Sequence, residues 1–169
     1  TVIPVRDFEE GTKGPDGQPL PEGALVPTLF FATKKGTVKR TLLSDYKNVR
    51  ANGIIAINLE EGDELLGVRR TDGNADIILA TKLGQACRFD ESEVRTMGRG
   101  ATGAEGIEPN DGDEVVSLAV AEPAPAILSV PANGYGKRTS LDRHRNPHRA
   151  GRGRRPIVLH APPGPRAPP

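Results

Sequence analysis

The chain contains a single cysteine, Cys87, and no tryptophan among its 169 residues. A single cysteine cannot form a disulfide within the chain and cannot supply a cysteine framework for a metal. Because Cys87 lies in an apolar and basic stretch, we expect a reduced, small packing residue. The absence of tryptophan excludes the common propeller class whose repeats carry a Trp-Asp marker.

Long hydrophobic runs are also missing. No apolar stretch approaches the roughly 18 residues that a membrane-spanning helix needs, and no charged-then-apolar signal segment is present. The chain begins at Thr1 without an initiator methionine. We therefore expect a soluble, cytoplasmic fragment of a longer protein.

Residues with catalytic chemistry are scarce. The three histidines, His144, His148 and His160, lie in a C-terminal stretch rich in proline and arginine, and the carboxylates cluster in turns. A nucleophile beside a base is therefore not predicted. The two tyrosines, Tyr46 and Tyr135, lie in turn-rich segments and are interpreted as packing or surface aromatics. We predict no catalytic residue, no metal site and no cofactor in this chain.

The net charge of +1 conceals two different regions. Residues 1–142 carry a net charge of −6, whereas residues 143–169 carry +7. An interaction with nucleic acid in the first region must therefore depend on local patches of positive charge.

One sequence unit is written about three times. Residues 29–36 (LFFATKKG) recur as 77–84 (IILATKLG) and again as 126–134 (AILSVPANG). A second landmark agrees with the first, because residues 62–68 (GDELLGV) recur as 112–118 (GDEVVSL). Two landmarks with a spacing of about 50 residues indicate a repeat architecture.

Each unit is predicted to open with a β-hairpin, because residues 29–33 and 37–41 are short β-rich segments around a Lys-Gly turn. Residues 54–58 and 65–68 supply two more predicted strands, and no window shows helical periodicity. Four strands in about fifty residues are typical of a propeller blade. The predicted fold is all-β and propeller-like, with four-stranded blades that repeat about every 50 residues.

Two segments depart from the repeat. Residues 11–28 contain four prolines and four glycines, which indicates a surface insertion between blade strands. Residues 143–169 contain seven prolines and seven arginines and are predicted to be a disordered basic tail. An alternative for this tail is an out-of-frame reading of a GC-rich gene, because the repeat stops abruptly after residue 142.

Two glycine-rich motifs imitate nucleotide-binding loops. Residues 98–103 fit G-x-G-x-x-G, but that fingerprint requires a preceding strand and a following helix, and neither flank complies. Residues 134–137 resemble a phosphate-binding loop, but Pro131 stands where its first glycine belongs. We interpret the first motif as an inter-strand loop and the second as a hairpin.

Cations recur around each predicted hairpin, and this recurrence is the clearest functional signal. A row of such hairpins would form a positive rim on a neutral or acidic body, which suits phosphate groups with little base specificity. Solvated hairpin tips that serve only solubility are the alternative. The predicted DNA-binding residues are Lys34, Lys35, Lys39, Arg40, Lys47, Arg50, Lys82, Arg88, Arg99, Lys137 and Arg138.

The phrases that carry a family resemblance are residues 30–39 (FFATKKGTVK), 52–59 (NGIIAINL), 77–84, 97–99 (MGR) and 133–139 (NGYGKRT). Together they resemble the C-terminal domain of the DNA gyrase A subunit, over residues 3–142 apart from the insertion. The resemblance implies a six-bladed β-pinwheel that wraps double-stranded DNA around a basic perimeter. Residues 1–142 are then expected to form a partial β-pinwheel of about two and a half of these blades. It also implies partnership with the remainder of the gyrase A subunit and with the gyrase B subunit, in ATP-driven negative supercoiling by a type IIA topoisomerase.

The sequence departs from the family pattern at three points. The Gln-Arg-Arg-Gly-Gly-Lys-Gly box that marks gyrase is absent and is expected upstream of Thr1. Glu105 occupies a position in the second unit that is usually basic. In the third unit the repeat breaks off, with residues 149–154 as a remnant.

Three alternatives stay open at this point. The topoisomerase IV A subunit has a similar wheel, and the absent box would have decided between the two enzymes. A propeller scaffold for protein partners would bind with an affinity barely sensitive to salt. A truncated or frame-shifted product would lack a stable fold, because incomplete wheels leave strand edges uncovered.

Overall fold

The computed structural model describes residues 3–5, 8, 26–121, 126–130, 134 and 136–140. The predicted tail, Tyr135, the histidines and most of the predicted insertion lie outside the described residues. Within them, the first repeat covers residues 26–75, the second covers 76–121 and the third begins at 126. The described strands are β1 (Thr28–Thr33), β2 (Thr37–Leu42), β3 (Leu65–Thr71), β4 (Asp76–Thr81), β5 (Ala86–Asp90), β6 (Ala104–Glu105), β7 (Val115–Ala121), β8 (Ala126–Ser129) and β9 (Lys137–Ser140).

Helical structure in the described residues is limited to two short 3-10 turns, η1 (Leu43–Tyr46) and η2 (Glu91–Glu93), one after each of the first two hairpins. No helix in this part of the chain is long and apolar enough to cross a membrane. The predicted all-β class is therefore confirmed.

Three antiparallel sheets follow the three repeats. The strand order is β3-β1-β2-β6 in the first sheet, β5-β4-β7 in the second and β8-β9 in the third. The first two sheets have the same register irregularity, between Ala32 and Thr33 in β1 and between Ala80 and Thr81 in β4. The predicted hairpins are confirmed in all three repeats, and the repeated bulge shows that the first two repeats share their backbone geometry.

The fourth strand of the first sheet comes from the second repeat. β6 pairs with β2 through Thr37↔Glu105 and Val38↔Ala104, although the sequence predicts residues 54–58 of the first repeat as a strand. That segment joins no described sheet. With the spacing of 50 residues, residues 54–55 correspond to β6, and the described residues contain no preceding hairpin with which they could pair. The carbonyl of Ala56 accepts hydrogen bonds from the Lys39 ammonium at 2.8 Å and the Tyr46 hydroxyl at 3.2 Å.

Gly36 shows how closely the second repeat fits against the first hairpin. Its φ of +94° favours glycine. A Cβ at this position would lie 1.9 Å from the carbonyl oxygen of Ile107. The Gly36 carbonyl in turn accepts hydrogen bonds from the backbone N–H groups of Gly106 at 3.0 Å and Ile107 at 3.2 Å. Any side chain at Gly36 would push the two repeats apart.

One hydrophobic core joins the first two sheets. Phe30 is fully buried and its ring centroid lies 6.1 Å from that of Phe89 in the second repeat. Burial of a phenylalanine side chain contributes about 2 kcal/mol. The core cluster consists of Phe30, Ala32, Val38, Ile77, Leu79, Cys87, Phe89, Val94, Met97, Ile107, Val115 and Leu118.

A buried carboxylate also ties the first two repeats together. Glu91 of η2 is 0% exposed, and its Oε2 accepts hydrogen bonds from the hydroxyls of Thr71 at 2.6 Å and Thr28 at 3.1 Å. Its Oε1 accepts from the backbone N–H groups of Gly73 at 2.9 Å and Ala75 at 2.8 Å. Four donors satisfy the carboxylate, so it connects η2 to β1, to β3 and to the linker between the repeats.

Candidate nucleic-acid interface

The tip of the first hairpin is bound by the acidic turn that precedes β3. The Lys34 ammonium lies 2.7 Å from Glu64 Oε2, and this carboxylate raises the pKa of Lys34 through a hydrogen bond and its charge. Asp63 Oδ1 accepts hydrogen bonds from the backbone N–H groups of Lys35 at 3.0 Å and Glu64 at 2.8 Å. The Lys35 ammonium donates to the carbonyl of Glu61 at 2.7 Å. Both lysines of this tip are thus engaged by the acidic turn.

The second hairpin repeats this arrangement. The Lys82 ammonium lies 3.6 Å from Glu114 Oε1. Asp113 Oδ1 accepts from the backbone N–H groups of Leu83 and Glu114, both at 2.9 Å. Burial opposes the charge of Asp113, but hydrogen bonds from Thr81 and from backbone N–H groups outweigh it and lower the pKa. The tips therefore carry alternating charges instead of a purely positive rim.

Lys39 lies inside the molecule. Its residue exposure is 0%, its ammonium donates to the carbonyls of Ala56 and Arg99, and it lies 5.6 Å from the centroid of the Phe31 ring. Burial lowers the pKa of Lys39, the charge of Asp45 raises it and the charge of Arg99 lowers it further. A phosphate could reach this ammonium only after displacing the carbonyls, so we assign Lys39 a structural role.

Arg40 and Arg88 occupy equivalent positions in β2 and β5, and both are partly buried. Arg40 donates to the carbonyl of Gly73 at 3.3 Å and to the Thr96 hydroxyl at 3.1 Å. Arg88 forms an ion pair with Asp76 of the neighbouring strand. These contacts connect strands and loops, and they leave little of either guanidinium available to a ligand.

Two predicted site residues are brought together. Arg50 and Arg99, from successive repeats, line one open cavity of about 630 Å³, and neither guanidinium has a hydrogen bond or an ion pair among the described residues. We call this cavity the double-arginine groove; its other lining residues are Asn52, Gly53, Ile54, Ile55 and Gly100.

Two backbone turns form the walls of the double-arginine groove. The N–H of Gly53 donates to the carbonyl of Arg50 at 2.9 Å, and the N–H of Ala101 donates to the carbonyl of Gly98 at 3.1 Å. Asn58, five residues after the first turn, donates its side-chain amide to the carbonyl of Gly100 in the second turn at 2.6 Å. A hydrogen-bonded turn therefore lines the groove on each side.

The other predicted cations are placed separately. Lys47 is exposed after η1, and Lys137 and Arg138 are exposed on β9 of the third repeat. Arg95, which sequence reasoning missed, is exposed two residues after η2. The sequence shows this cation just after the acidic stretch at residues 90–93, but no pattern there indicates that it is exposed.

The roles of Asp63, Asp113 and Glu91 were also missed. The two aspartates occur at the same place in the repeated Gly-Asp-Glu landmark, and this repetition could have indicated that the acidic turn meets the Lys-Gly hairpin. Among the residues that the structure describes, no group of three or more His, Cys, Asp or Glu could hold a metal ion.

The G-x-G-x-x-G residues 98–103 follow η2 and precede β6, so they lack the strand-to-helix context of a dinucleotide site. Cys87 is buried and unpaired, as predicted. Its thiol lies 3.8 Å from the carbonyl of Gly106, and burial raises its pKa to about 11. Tyr46 is a packing aromatic, with its ring centroid 6.4 Å from that of Phe31.

Comparison with known proteins identifies the family. A family model of the DNA gyrase C-terminal domain, described as a β-propeller, matches residues 27–72, 75–122 and 132–155. The chain belongs to this gyrase domain family. The third matched segment extends past the predicted boundary at residue 142 of the gyrase-like region.

The chain is also similar to part of complete DNA gyrase A subunits. The DNA gyrase A subunit of Salmonella typhimurium is 43% identical over 152 residues, which cover 90% of this chain and 16% of that protein. The gyrase A subunit of Staphylococcus epidermidis is 48% identical over 127 residues, which cover 74% of this chain and 14% of that protein. The chain thus corresponds to less than a fifth of the length of these proteins.

Solved structures show the same fold. The C-terminal domain of DNA topoisomerase IV matches with a TM-score of 0.76 and 31% identity over 93% of this chain and 44% of that one. The gyrase A C-terminal domain matches with a TM-score of 0.66 and 26% identity over 79% of this chain and 44% of that one. The chain is therefore part of a C-terminal domain of this type.

Proposed function

We propose that the chain binds duplex DNA without sequence preference, as a cytoplasmic part of the gyrase A subunit that supports ATP-driven negative supercoiling. Its partners in this role are double-stranded DNA, the remainder of the gyrase A subunit and the gyrase B subunit. Membership of the gyrase domain family and 41% to 48% identity to gyrase A subunits support the proposal.

The observation that carries the proposal is that some cations of the chain are paired with carboxylates whereas others are not. Lys34 and Lys82 at the hairpin tips are paired with glutamates, whereas Arg50, Arg95 and Arg99 have no ion pair among the described residues. These three arginines lie on the segments that follow η1 and η2. Arg50 and Arg95 are exposed and Arg99 is half-buried. Guanidinium groups without an acidic partner favour phosphate, and phosphate contacts give affinity without base specificity.

The test compares available with engaged cations in the same chain. Affinity is measured against salt for two duplexes of equal length and unrelated sequence. Removal of one phosphate contact should reduce the slope of log affinity against log salt by about 0.9. A variant with Arg50→Gln, Arg95→Gln and Arg99→Gln should show a shallower slope on both duplexes.

The matched control carries Lys34→Gln and Lys82→Gln, which remove cations already paired with glutamates. The control should keep nearly the wild-type slope, and the tail, identical in all proteins, cancels from the comparison. An unchanged slope in the arginine variant would refute the assignment of these residues. Wild-type binding that ignores salt would refute DNA binding through phosphates and favour the protein scaffold.

Topoisomerase IV remains the second candidate, because its C-terminal domain has the higher TM-score of the two structures described above. To separate the enzymes, the matched segment of a gyrase A protein is replaced by this chain. ATP-dependent negative supercoiling of relaxed plasmid is expected from the chimera. Plasmid relaxation without supercoiling would favour the topoisomerase IV assignment.

A further inference from the structure

We propose that the double-arginine groove is a seat for a single backbone phosphodiester of duplex DNA, held jointly by Arg50, Arg99 and the backbone N–H of Gly100. This inference rests on the proposed DNA binding and adds to it a defined contact point where two successive repeats meet.

The charge around the groove favours an anion. Arg50 and Arg99 line it without an acidic partner among the described residues, and none of its lining residues is acidic. The ammonium of Lys39 lies behind the groove, since it donates to the carbonyl of Arg99. Asp45 is close enough to influence Lys39, but it does not line the cavity. Two guanidinium groups on one cavity match the oxygens of a phosphate better than a single cation does.

The peptide between Arg99 and Gly100 supplies a third donor. In a trans peptide the carbonyl and the following N–H point in opposite directions. The Arg99 carbonyl is directed at the buried Lys39 ammonium, so the N–H of Gly100 points away from Lys39. No described group accepts from this N–H, and Gly100 is exposed in the wall of the groove. A backbone donor beside two guanidinium groups is a common way to hold phosphate.

The glycine at position 100 is not explained by packing within the chain. A Cβ at Gly103 would lie 2.6 Å from the Val38 carbonyl oxygen, and one at Gly106 would lie 2.5 Å from Val38 Cγ1. A Cβ at Gly100 would meet nothing within 4 Å, and its φ is not in the region that favours glycine. The absent side chain leaves room for a ligand to approach the backbone closely.

Two observations favour a duplex over a free phosphate ion. The cavity is open, and its volume of about 630 Å³ leaves room for the nucleotides on either side of the phosphodiester that the two arginines hold. It also lies where the first two repeats meet, and so it can be crossed by a continuous strand. A phosphodiester delivered by a duplex gains affinity from neighbouring contacts, which a free ion lacks.

The first experiment is a double-mutant cycle with Arg50→Gln and Arg99→Gln in the full chain, read by duplex affinity over a range of salt. If both guanidinium groups hold the same phosphate, each single variant should bind about tenfold more weakly, and the double variant should lose clearly less than the product. The salt slope of the double variant should fall by about 0.9, the value for one phosphate.

Independent contacts would give a different result. A slope lower by about 1.8, with fully additive losses, would mean two separate phosphates and would overturn the shared seat while leaving DNA binding intact. Failure of the wild-type chain to bind any duplex would instead overturn the proposed function itself. The two failures are therefore distinguishable.

The second experiment uses a matched pair of glycines. Gly100→Ala and Gly98→Ala each place a methyl group where nothing lies within 4 Å, so both variants should unfold at the wild-type temperature. Of these two glycines, only Gly100 lines the groove. Gly100→Ala should therefore weaken duplex binding several-fold while Gly98→Ala should not, and equal effects would overturn close backbone approach.

The third experiment follows the amide resonance of Gly100 during titration with a short duplex and, separately, with inorganic phosphate. A shift of this amide at duplex concentrations far below the phosphate concentrations that move it supports a seat for a duplex phosphodiester. Binding of inorganic phosphate as tightly as the duplex would overturn the duplex assignment.

Discussion

The first two repeats have the same backbone but differ at positions that lie inside the molecule. The hairpin tips are equivalent, with Asp63 and Asp113 making the same backbone contacts. Farther along the unit, Lys39 in the first repeat corresponds to Cys87 in the second, and both direct their polar atom at a carbonyl of a following loop, Ala56 or Gly106. The comparison shows that backbone acceptors are kept while the chemistry of the donor changes.

The two repeats also differ at the first residue of the 3-10 turn that follows each hairpin. Leu43 begins η1 and is buried as an apolar residue, whereas Glu91 begins η2 and is buried as a carboxylate with four donors. A buried acid is tolerated in the second repeat because the first repeat and the linker supply its hydrogen bonds. The identity of an interior residue thus depends on its neighbouring repeat.

The largest effect on stability is expected when the buried carboxylate of Glu91 is removed. Glu91→Ala should lower the free energy of unfolding by about 3 kcal/mol, because two backbone N–H groups and one threonine hydroxyl lose their acceptor in the interior. The other hydroxyl can donate across the 2.7 Å between Thr28 Oγ1 and Thr71 Oγ1. Chemical denaturation gives this difference. Glu93→Ala, an exposed neighbour in the same 3-10 turn, is the control and should remain near wild type. Equal stabilities of the two variants would contradict the role of Glu91.

A smaller effect on stability is expected from Cys87, and it should depend on pH. Burial raises the pKa of Cys87 from its ordinary value of 9.0 to about 11. The folded chain therefore keeps the proton in a range where the unfolded chain has lost it. The stability contribution is fully present below pH 9 and is lost as pH rises towards 11, with a total of about 2.7 kcal/mol.

The measurement is the difference in unfolding free energy between wild type and Cys87→Ala across this pH window, since titration of other groups is common to both proteins. The difference should decline as pH rises. A constant difference would mean that Cys87 ionises normally and is not buried in solution.

Because the two hairpin tips are equivalent, removal of the aspartate at either tip should cause the same loss of stability, smaller than the losses above. Asp63→Ala and Asp113→Ala each remove two hydrogen bonds to backbone N–H groups at a partly solvated turn, so each should cost less than about 1 kcal/mol. Thermal unfolding of both variants, with Asp111→Ala at an exposed neighbouring position as control, tests the symmetry. Clearly different losses in the two repeats would show that the tips are not equivalent.

The smallest effect is expected for the ion pairs at these tips. Lys34 and Glu64 are solvent-exposed, and exposed pairs contribute little to stability. Glu64→Gln and Glu114→Gln should leave the unfolding midpoint at neutral pH indistinguishable from wild type. Double-mutant cycles with Lys34→Gln and Lys82→Gln provide the measurement, and a strong coupling energy in either repeat would contradict it.

Much of the architecture could be predicted because it depends on local patterns. The three hairpins follow from alternating β-rich segments around glycine turns, and their repetition gives the propeller class. The pairing of β6 with the sheet of the first repeat could not be predicted, because Ala104–Glu105 has only two residues and no periodicity. Its pairing depends on the close fit of Gly36 against Ile107, which appears only in three dimensions.

The candidate site was predicted in part for a related reason. Composition identifies cations, but their availability depends on partners distant in sequence. Lys34 meets Glu64 after the chain has passed through η1 and the 50–53 turn, and Lys39 is covered by a carbonyl from the second repeat. Arg50 and Arg99 belong to the predicted set, but their common cavity arises from turns almost fifty residues apart.

The contribution of β6 to the preceding sheet has a consequence for how such chains can lengthen during evolution. A tandem duplication that adds one unit brings with it the strand that completes the sheet before it. The same unit presents a new hairpin edge of the kind that accepts the next strand. Domains with different numbers of units can therefore arise by copying a single segment, without a separate change to create each new junction.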